Sequence, residues 1–359
     1  MPPVTPASEH RLHGAFCGCR LPRRTALAGL AATAVTAATP ARAATPNPRR
    51  IDVHHHIIPP IYLERAKDRL LASSHSDPAP LLGWTPARAL EQMDKFGVAT
   101  AMTSISTPGI WFGDRQAGRD LARACNEYAA RMATDHPGRF GTLIALPLPD
   151  IEGSLAEIAH GFDNLHADGV CLLTSYDGKW PGDAAFAPVF DELNRRKAVV
   201  YFHPTAPTCC VNLVPDVPPP VVEFLFDSTR AMLSMMASGT LTRCPDLRCI
   251  FAHTGGATAD VAFRINAYFA RTPELLAKVP GGALATMRRQ HFDIANSVNP
   301  ATMAAALALW GPEHLIFGSD NPFVPISVTA TAFDRFAIAA RDRAMIDRGN
   351  AAKLFPRFA

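Results

Sequence analysis

From residue 51 onward, short apolar runs rich in β-branched residues recur at intervals of roughly 20–50 residues, with helical patterns between them. That alternation constrains the fold more than any other feature. The runs are 51–56 (IDVHHH), 98–106 (VATAMTSIS), 140–148 (FGTLIALPL), 169–176 (GVCLLTSY), 198–204 (AVVYFHP), 247–254 (LRCIFAHT), 291–297 (HFDIANS) and 315–320 (LIFGSD). Each is continuously apolar rather than alternating, as a parallel strand buried on both faces must be. Helices are expected between them, one with Thr85 as N-cap, Pro86 at its first position and Gly97 just past its end. Others are expected over 115–134, 151–166, 188–196 and 301–310. Eight strands alternating with helices predict an α/β chain closed into a (β/α)8 TIM barrel. The competing open, doubly wound sheet is disfavoured because no glycine fingerprint follows any strand. Loops 57–84, after strand one, and 204–220, after strand five, are the expected lids.

The chain has 359 residues, 48% of them hydrophobic and 19% charged, which excludes a disordered, collagen-like or disulfide-framed molecule. Its net charge of +3 comes from the N-terminus: residues 1–43 carry five Arg and one Glu, leaving the remainder near −1. Nothing in that balance points to nucleic acid or an anionic membrane as a partner. The same 43 residues read as a twin-arginine signal peptide. Arg23 and Arg24 precede an uncharged stretch over 25–41, and Ala41-Arg42-Ala43 is a small-residue cleavage site. The expectation is a barrel domain over 44–359, exported to the periplasm or beyond. No CxxC pair occurs, and adjacent Cys209 and Cys210 are expected as free thiols, with Cys171 and Cys249 inert in the core.

Chemistry in such a barrel gathers where the strands end at their C-terminal side. His54 and His56 close strand one, two residues apart and so on one face, with His55 pointing the other way. His203 closes strand five, His253 strand six and Asp320 strand eight. Four imidazoles and a carboxylate converging on one mouth suit a divalent ion, zinc first and manganese second. His136, His160, His166, His291 and His314 are read instead as ordinary hydrogen-bonded residues.

These residues resemble a known family. Asp52-Val53-His54-His55-His56 is similar to the D-x-H-x-H opening of the amidohydrolase superfamily, and Phe202-His203-Pro204 to its fifth-strand histidine. His253-Thr254-Gly255-Gly256 resembles the H-x-G-G signature, and Gly318-Ser319-Asp320-Asn321-Pro322-Phe323 the G-[ST]-D-x-P-F motif. The set is most similar to the branch of aminocarboxymuconate-semialdehyde, 6-methylsalicylate and γ-resorcylate decarboxylases. Asn321 stands where an aromatic residue is common and Thr254 where Gly or Ala is, two departures that bear on substrate choice. No lysine occurs at the end of strand four (Leu172–Tyr176), where two-metal members carry a bridging ligand, so one metal is expected.

The resemblance implies non-oxidative decarboxylation of an aromatic or conjugated, ortho-hydroxy or oxo, carboxylic acid. His54, His56, His203 and Asp320 would hold the ion. Asp320 would act as general acid and His253 as base or substrate anchor. Arg264, eleven residues beyond His253, would reach a neighbouring subunit's site and hold a carboxylate, implying a homodimer. The runner-up is a mononuclear hydrolase of a lactone or amide, and the third reading a metal-binding protein without turnover.

Overall fold

The computed structural model describes residues 47–211 and 213–359; the signal-peptide reading, with Arg23, Arg24 and the Ala41–Ala43 site, lies outside them. Each of the eight apolar runs contributes a strand: β1 (Arg50–His56), β2 (Val98–Ser104), β3 (Phe140–Ala145), β4 (Gly169–Leu173), β5 (Val199–His203), β6 (Arg248–Phe251), β7 (His291–Asp293) and β8 (Leu315–Ile316). They pair in parallel in sequence order. Beyond β8 the chain returns to β1: Val53 N–H donates to Phe317 O (3.1 Å), His56 N–H to Asn321 O (2.7 Å) and Asp320 N–H to His54 O (2.7 Å). Those bonds close the sheet as the expected (β/α)8 barrel.

The barrel has two apolar layers. Ile51, Val53, Met102, Leu143, Val199, Tyr201, Ile250 and Ile316 fill its interior, and Leu354, Phe355 and Phe358 of the C-terminal segment pack against them. The outward faces meet the helices through Ala101, Ile144, Val200, Phe202, Phe251 and Phe292, among others. Burial on both faces is why the strands read as unbroken apolar runs. At the wall's foot, fully buried Arg50 is satisfied by Asp347 (2.7 Å), Asp334 and Phe96 O (2.8 Å).

Local signals behave as anticipated around the helix Pro86–Lys95: Thr85 Oγ1 accepts Arg88 N–H at 3.2 Å, and Gly97 turns the chain at φ 67°. Three differences stand out. The last two strands shrink to three and two residues, because 294–297 and 317–320 leave the ladder to turn across the mouth. The stretch 57–84 is helical over Pro60–Ser74 and Pro78–Leu82, and the expected 204–220 loop yields at Pro219 to a long helix, Pro219–Ala237. Finally, Cys209 and Cys210 are joined as a disulfide rather than free, since the turn over 208–211 brings both side chains together. Cys171 and Cys249 are buried, and that burial pushes both thiols up to about 12, which keeps them protonated and inert.

Candidate metal centre

Strand β1 is buried along its whole length, so its alternation delivers His54 and His56 to one side and His55 to the other. His55 faces away from the mouth. Its Nδ1 lies 3.0 Å from Asp52 Oδ2, its Nε2 is 3.2 Å from Asn321 Nδ2, and Asp52 also accepts Ser319 Oγ–H (2.5 Å) and N–H (2.9 Å). That buried network fastens the Gly318–Phe323 motif to β1. Gly318 is required there: a Cβ would lie 2.8 Å from that of His54 and 2.9 Å from that of Asp293. Asn321 therefore supports His55 and does not line the cavity, so its expected influence on substrate choice gives way to a packing function. Thr254 does line the cavity.

On the mouth side four ligand atoms, one each from His54, His56, His203 and Asp320, lie within 4.8 Å of one another. Asp320 Oδ1 is 3.2 Å from His54 Nε2 and 3.3 Å from His56 Nε2. The outer nitrogens orient two of the rings: His56 Nδ1 pairs with Ser104 Oγ (2.9 Å), and His203 Nδ1–H donates to Pro204 O (2.8 Å), leaving its Nε2 lone pair toward the centre. Nε2 of both His54 and His56 is buried without a hydrogen-bond partner among the described residues. A buried polar atom left unpaired is unfavourable, and a cation between these donors would satisfy both nitrogens together with Asp320. The residues fit one divalent ion.

The local field agrees. Burial pulls the His54 imidazole down, but Asp320 and Asp293 outweigh it and, with no cation between them, carry it up to about 10. The position thus strongly prefers positive charge. Burial holds His56 down at about 4 and His203 well below the usual imidazole range, so both stay neutral, as metal ligands must. For Asp320 burial pushes upward, and the His54 charge overrides it and holds the carboxyl well below its ordinary value.

His253 falls outside that four-residue set. It stands just past β6, its Nδ1–H donating to Ala295 O at 2.9 Å and its Nε2 4.0 Å from Asp320 Oδ2. Two residues that sequence reasoning missed organise this edge. Fully buried Asp293, at the end of β7, accepts Tyr201 O–H (2.7 Å) on Oδ2 and the N–H groups of Ala295 (2.9 Å) and His253 (3.2 Å) on Oδ1. Its Oδ2 also lies 3.2 Å from His54 Nδ1, within ion-pair reach but not aligned as a hydrogen bond. Asn296 donates from Nδ2 to Asp320 Oδ2 at 3.0 Å. A carboxylate at the end of an apolar strand was the available signal for Asp293; Asn296 had none. His253, Thr254, Asn296 and Asp320 all take positive φ (54°, 57°, 55° and 70°), a concentration of backbone strain typical of working sites.

At the end of β4, Thr174 and Ser175 donate to buried Asp227 (2.6 and 3.0 Å), so that strand presents hydroxyls already engaged and no second-metal ligand. Arg264 is exposed on the helix Thr258–Ala270 and does not line the cavity of its own chain. The cavity above the centre, about 640 Å³, is bounded by His203, His253 and Asp320 below, by Phe224, Leu225, Phe323 and Val324, and by Ser106, Thr107 and Asn296.

The amidohydrolase family model matches residues 51–357, nearly the whole described chain. The chain belongs to the amidohydrolase family. Among the relatives of this amidohydrolase, a decarboxylase of Aspergillus niger is 36% identical over 329 residues, covering 86% of this chain and 88% of that one. A 6-methylsalicylic acid decarboxylase of Penicillium expansum is 32% identical, over 86% and 96% of the two chains. A crystal structure described as amidohydrolase II superposes with a TM-score of 0.78 at 27% identity, over 86% of this chain and 99% of that one. The resemblance drawn from His54, His56, His203, His253 and Asp320 is thereby borne out at the level of the family.

Proposed function

We propose that this amidohydrolase removes CO2 non-oxidatively from an aromatic carboxylic acid bearing an oxygen beside the carboxylate. The observation that carries the reading is the three-histidine, one-carboxylate centre at the floor of a cavity of about 640 Å³, roomy enough for an aromatic acid and lined in part by phenylalanine and aliphatic side chains. Relatives at 32–36% identity that are named decarboxylases support it. His54, His56, His203 and Asp320 would hold the ion, zinc as the first choice for a nitrogen-rich set and manganese as the second. When bound, the ion supplies Lewis-acid polarisation of the substrate carboxylate and the oxygen beside it.

The chain's own residues do the rest. Phe224, Leu225, Phe323 and Val324 pack the ring and exclude water. As the C–CO2 bond breaks, its electron pair goes to the ring carbon, which must take a proton. His253 can hold that proton on Nε2 and deliver it to the ring carbon, its Nδ1–H being tied to Ala295 O, and Asp320 Oδ2, 4.0 Å away, would exchange it through one bridging water. Incubation with hydroxybenzoates and product analysis tests this: CO2 with a decarboxylated phenol supports it, whereas a ring-opened or hydrolysed acid that keeps every carbon indicates the hydrolase.

Two finer proposals accompany it. No lysine or arginine lines the cavity within one chain, among the described residues, so a second anionic group would need a cation from elsewhere. Arg264 shares its helix with exposed Phe263 (66%) and Tyr268 (52%), and that helix's Asp260 lines the cavity. We assign this face to a homodimer in which the partner subunit's Arg264 approaches the substrate. Mixing inactive Arg264→Ala and inactive His203→Ala chains then restores partial activity; mixed dimers that stay inactive would reject the assignment. The second is export of the folded chain by the twin-arginine route, motivated by Arg23, Arg24 and Ala41-Arg42-Ala43.

A further inference from the structure

Asn296 lines the cavity with its side-chain hydrogen bonding half committed. Its backbone is locked: φ is 55°, in the left-handed region that asparagine tolerates, and its N–H donates to Thr329 Oγ1 at 3.1 Å. Its side chain is oriented by Asp320. An ionised carboxylate only accepts hydrogen bonds, so the amide nitrogen must be the end that faces Asp320 Oδ2 at 3.0 Å. The carbonyl end of the planar amide is thereby fixed as well. Oδ1 takes no hydrogen bond among the described residues, although Asn296 is exposed and lines the cavity.

Its polar neighbours on the same wall are otherwise engaged. Ser297 Oγ–H turns back to Ala295 O (3.0 Å). Asn299 caps the helix Pro300–Leu309, Oδ1 accepting Thr302 N–H (3.0 Å) and Nδ2 donating to Thr302 Oγ1 (2.9 Å). The rest of the lining mixes apolar Phe224, Leu225, Phe323 and Val324 with hydroxyls such as Ser106 and Thr107, of which Ser106 Oγ lies 3.3 Å from His203 Nε2 and Thr107 Oγ1 3.0 Å from Thr205 Oγ1. While the second Nδ2–H, left over from the bond to Asp320, can meet any acceptor, the oriented Oδ1 calls for a donor on the ligand. Neither a carboxylate nor an ether can supply one; a ring hydroxyl can.

We propose that Asn296 is a specificity-determining residue whose Oδ1 accepts a hydrogen bond from a hydroxyl on the substrate ring next to the group that leaves. The inference rests on the decarboxylase reading for its substrate class, and it adds the residue that tells a hydroxylated ring from its O-methylated or unsubstituted counterpart.

The test uses equilibrium binding, with nitro compounds standing in for the acids because a nitro group matches a carboxylate in shape and has no CO2 to lose. The zinc-loaded full chain is titrated at pH 6 with 2-nitrophenol and with its methyl ether, 2-nitroanisole. Wild type should prefer the phenol. In Asn296→Gly, which accepts the positive φ without strain, and with zinc kept in excess to offset the lost hydrogen bond to Asp320, that preference should shrink about tenfold while 2-nitroanisole affinity holds. Asn296→Ser provides a second variant should the glycine form fold poorly. An undiminished preference for the phenol in both variants overturns the proposal, as does an equal loss for both ligands, which would make Asn296 merely a support for Asp320. Because binding is read without turnover, failure of this inference and failure of the decarboxylase reading give different data.

Discussion

Asp293 Oδ2 stands 3.2 Å from Nδ1 of His54, both side chains fully out of solvent, while Oδ1 of the same carboxylate accepts the N–H of His253. One carboxylate therefore braces a ligand of the centre and the main chain of the candidate proton carrier. Asp293→Asn keeps the volume and removes the charge. Loss of such an outer partner typically weakens metal binding by ~10–100-fold, and that loss is expected in a competition titration against a chelator. Wild-type affinity in the variant would leave Asp293 a purely packing residue.

His253 and His203 should separate in metal retention. His253→Ala is expected to keep near-stoichiometric metal after gel filtration while losing ~10²–10⁴ in rate, the usual effect of removing a positioned acid or base. His203→Ala is expected to lose both metal and turnover. A metal-free His253→Ala protein would make that residue a fifth ligand.

Far from the mouth, Glu192 gives a stability prediction with a defined sign. Its carboxylate is gripped by Arg195 (2.6 and 2.7 Å) and by Arg196 (2.6 Å), and the Arg195 hydrogen bonds lead in drawing it down to about 2 from an ordinary 4.5. A depressed carboxylate stabilises the folded chain fully above its unfolded value and loses that contribution as pH falls toward the folded one. The stability gap between wild type and Glu192→Gln, followed by denaturant melts, should be constant from pH 7 to 5 and narrow between about pH 4.5 and 2. A gap that widens on acidification would contradict the pairing.

Export can be checked in cells. Changing both Arg23 and Arg24 to Lys should leave unprocessed precursor in the cytoplasm. Continued appearance of processed protein outside would reject the twin-arginine route.

The sequence was most informative where strand geometry does the positioning. His54 and His56 were legible because a period of two places them together, and His203 and Asp320 because they follow apolar runs that barrel topology carries to one mouth. Asp293 belongs to the same class, a carboxylate ending an apolar strand two residues after His291, but no motif of the resemblance covers it and the signal went unused. Asn296 depends on a left-handed backbone and a contact with Asp320, 24 residues away, which no local pattern encodes. The helix Pro219–Ala237 was hidden by the prolines that open it, and Asn321 was misjudged because the direction of its side chain is set by His55, a tertiary partner.

The central claim is that one ion, held by His54, His56, His203 and Asp320, supports loss of CO2. Its most direct test is to strip the full chain with a chelator, add back zinc or manganese in measured increments, and follow CO2 from a hydroxybenzoate alongside bound metal. The account predicts that CO2 release rises linearly and levels off at one ion per chain, with one CO2 formed for each substrate consumed. Activity that needs two ions per chain, or substrate consumed with no CO2 released, would contradict it.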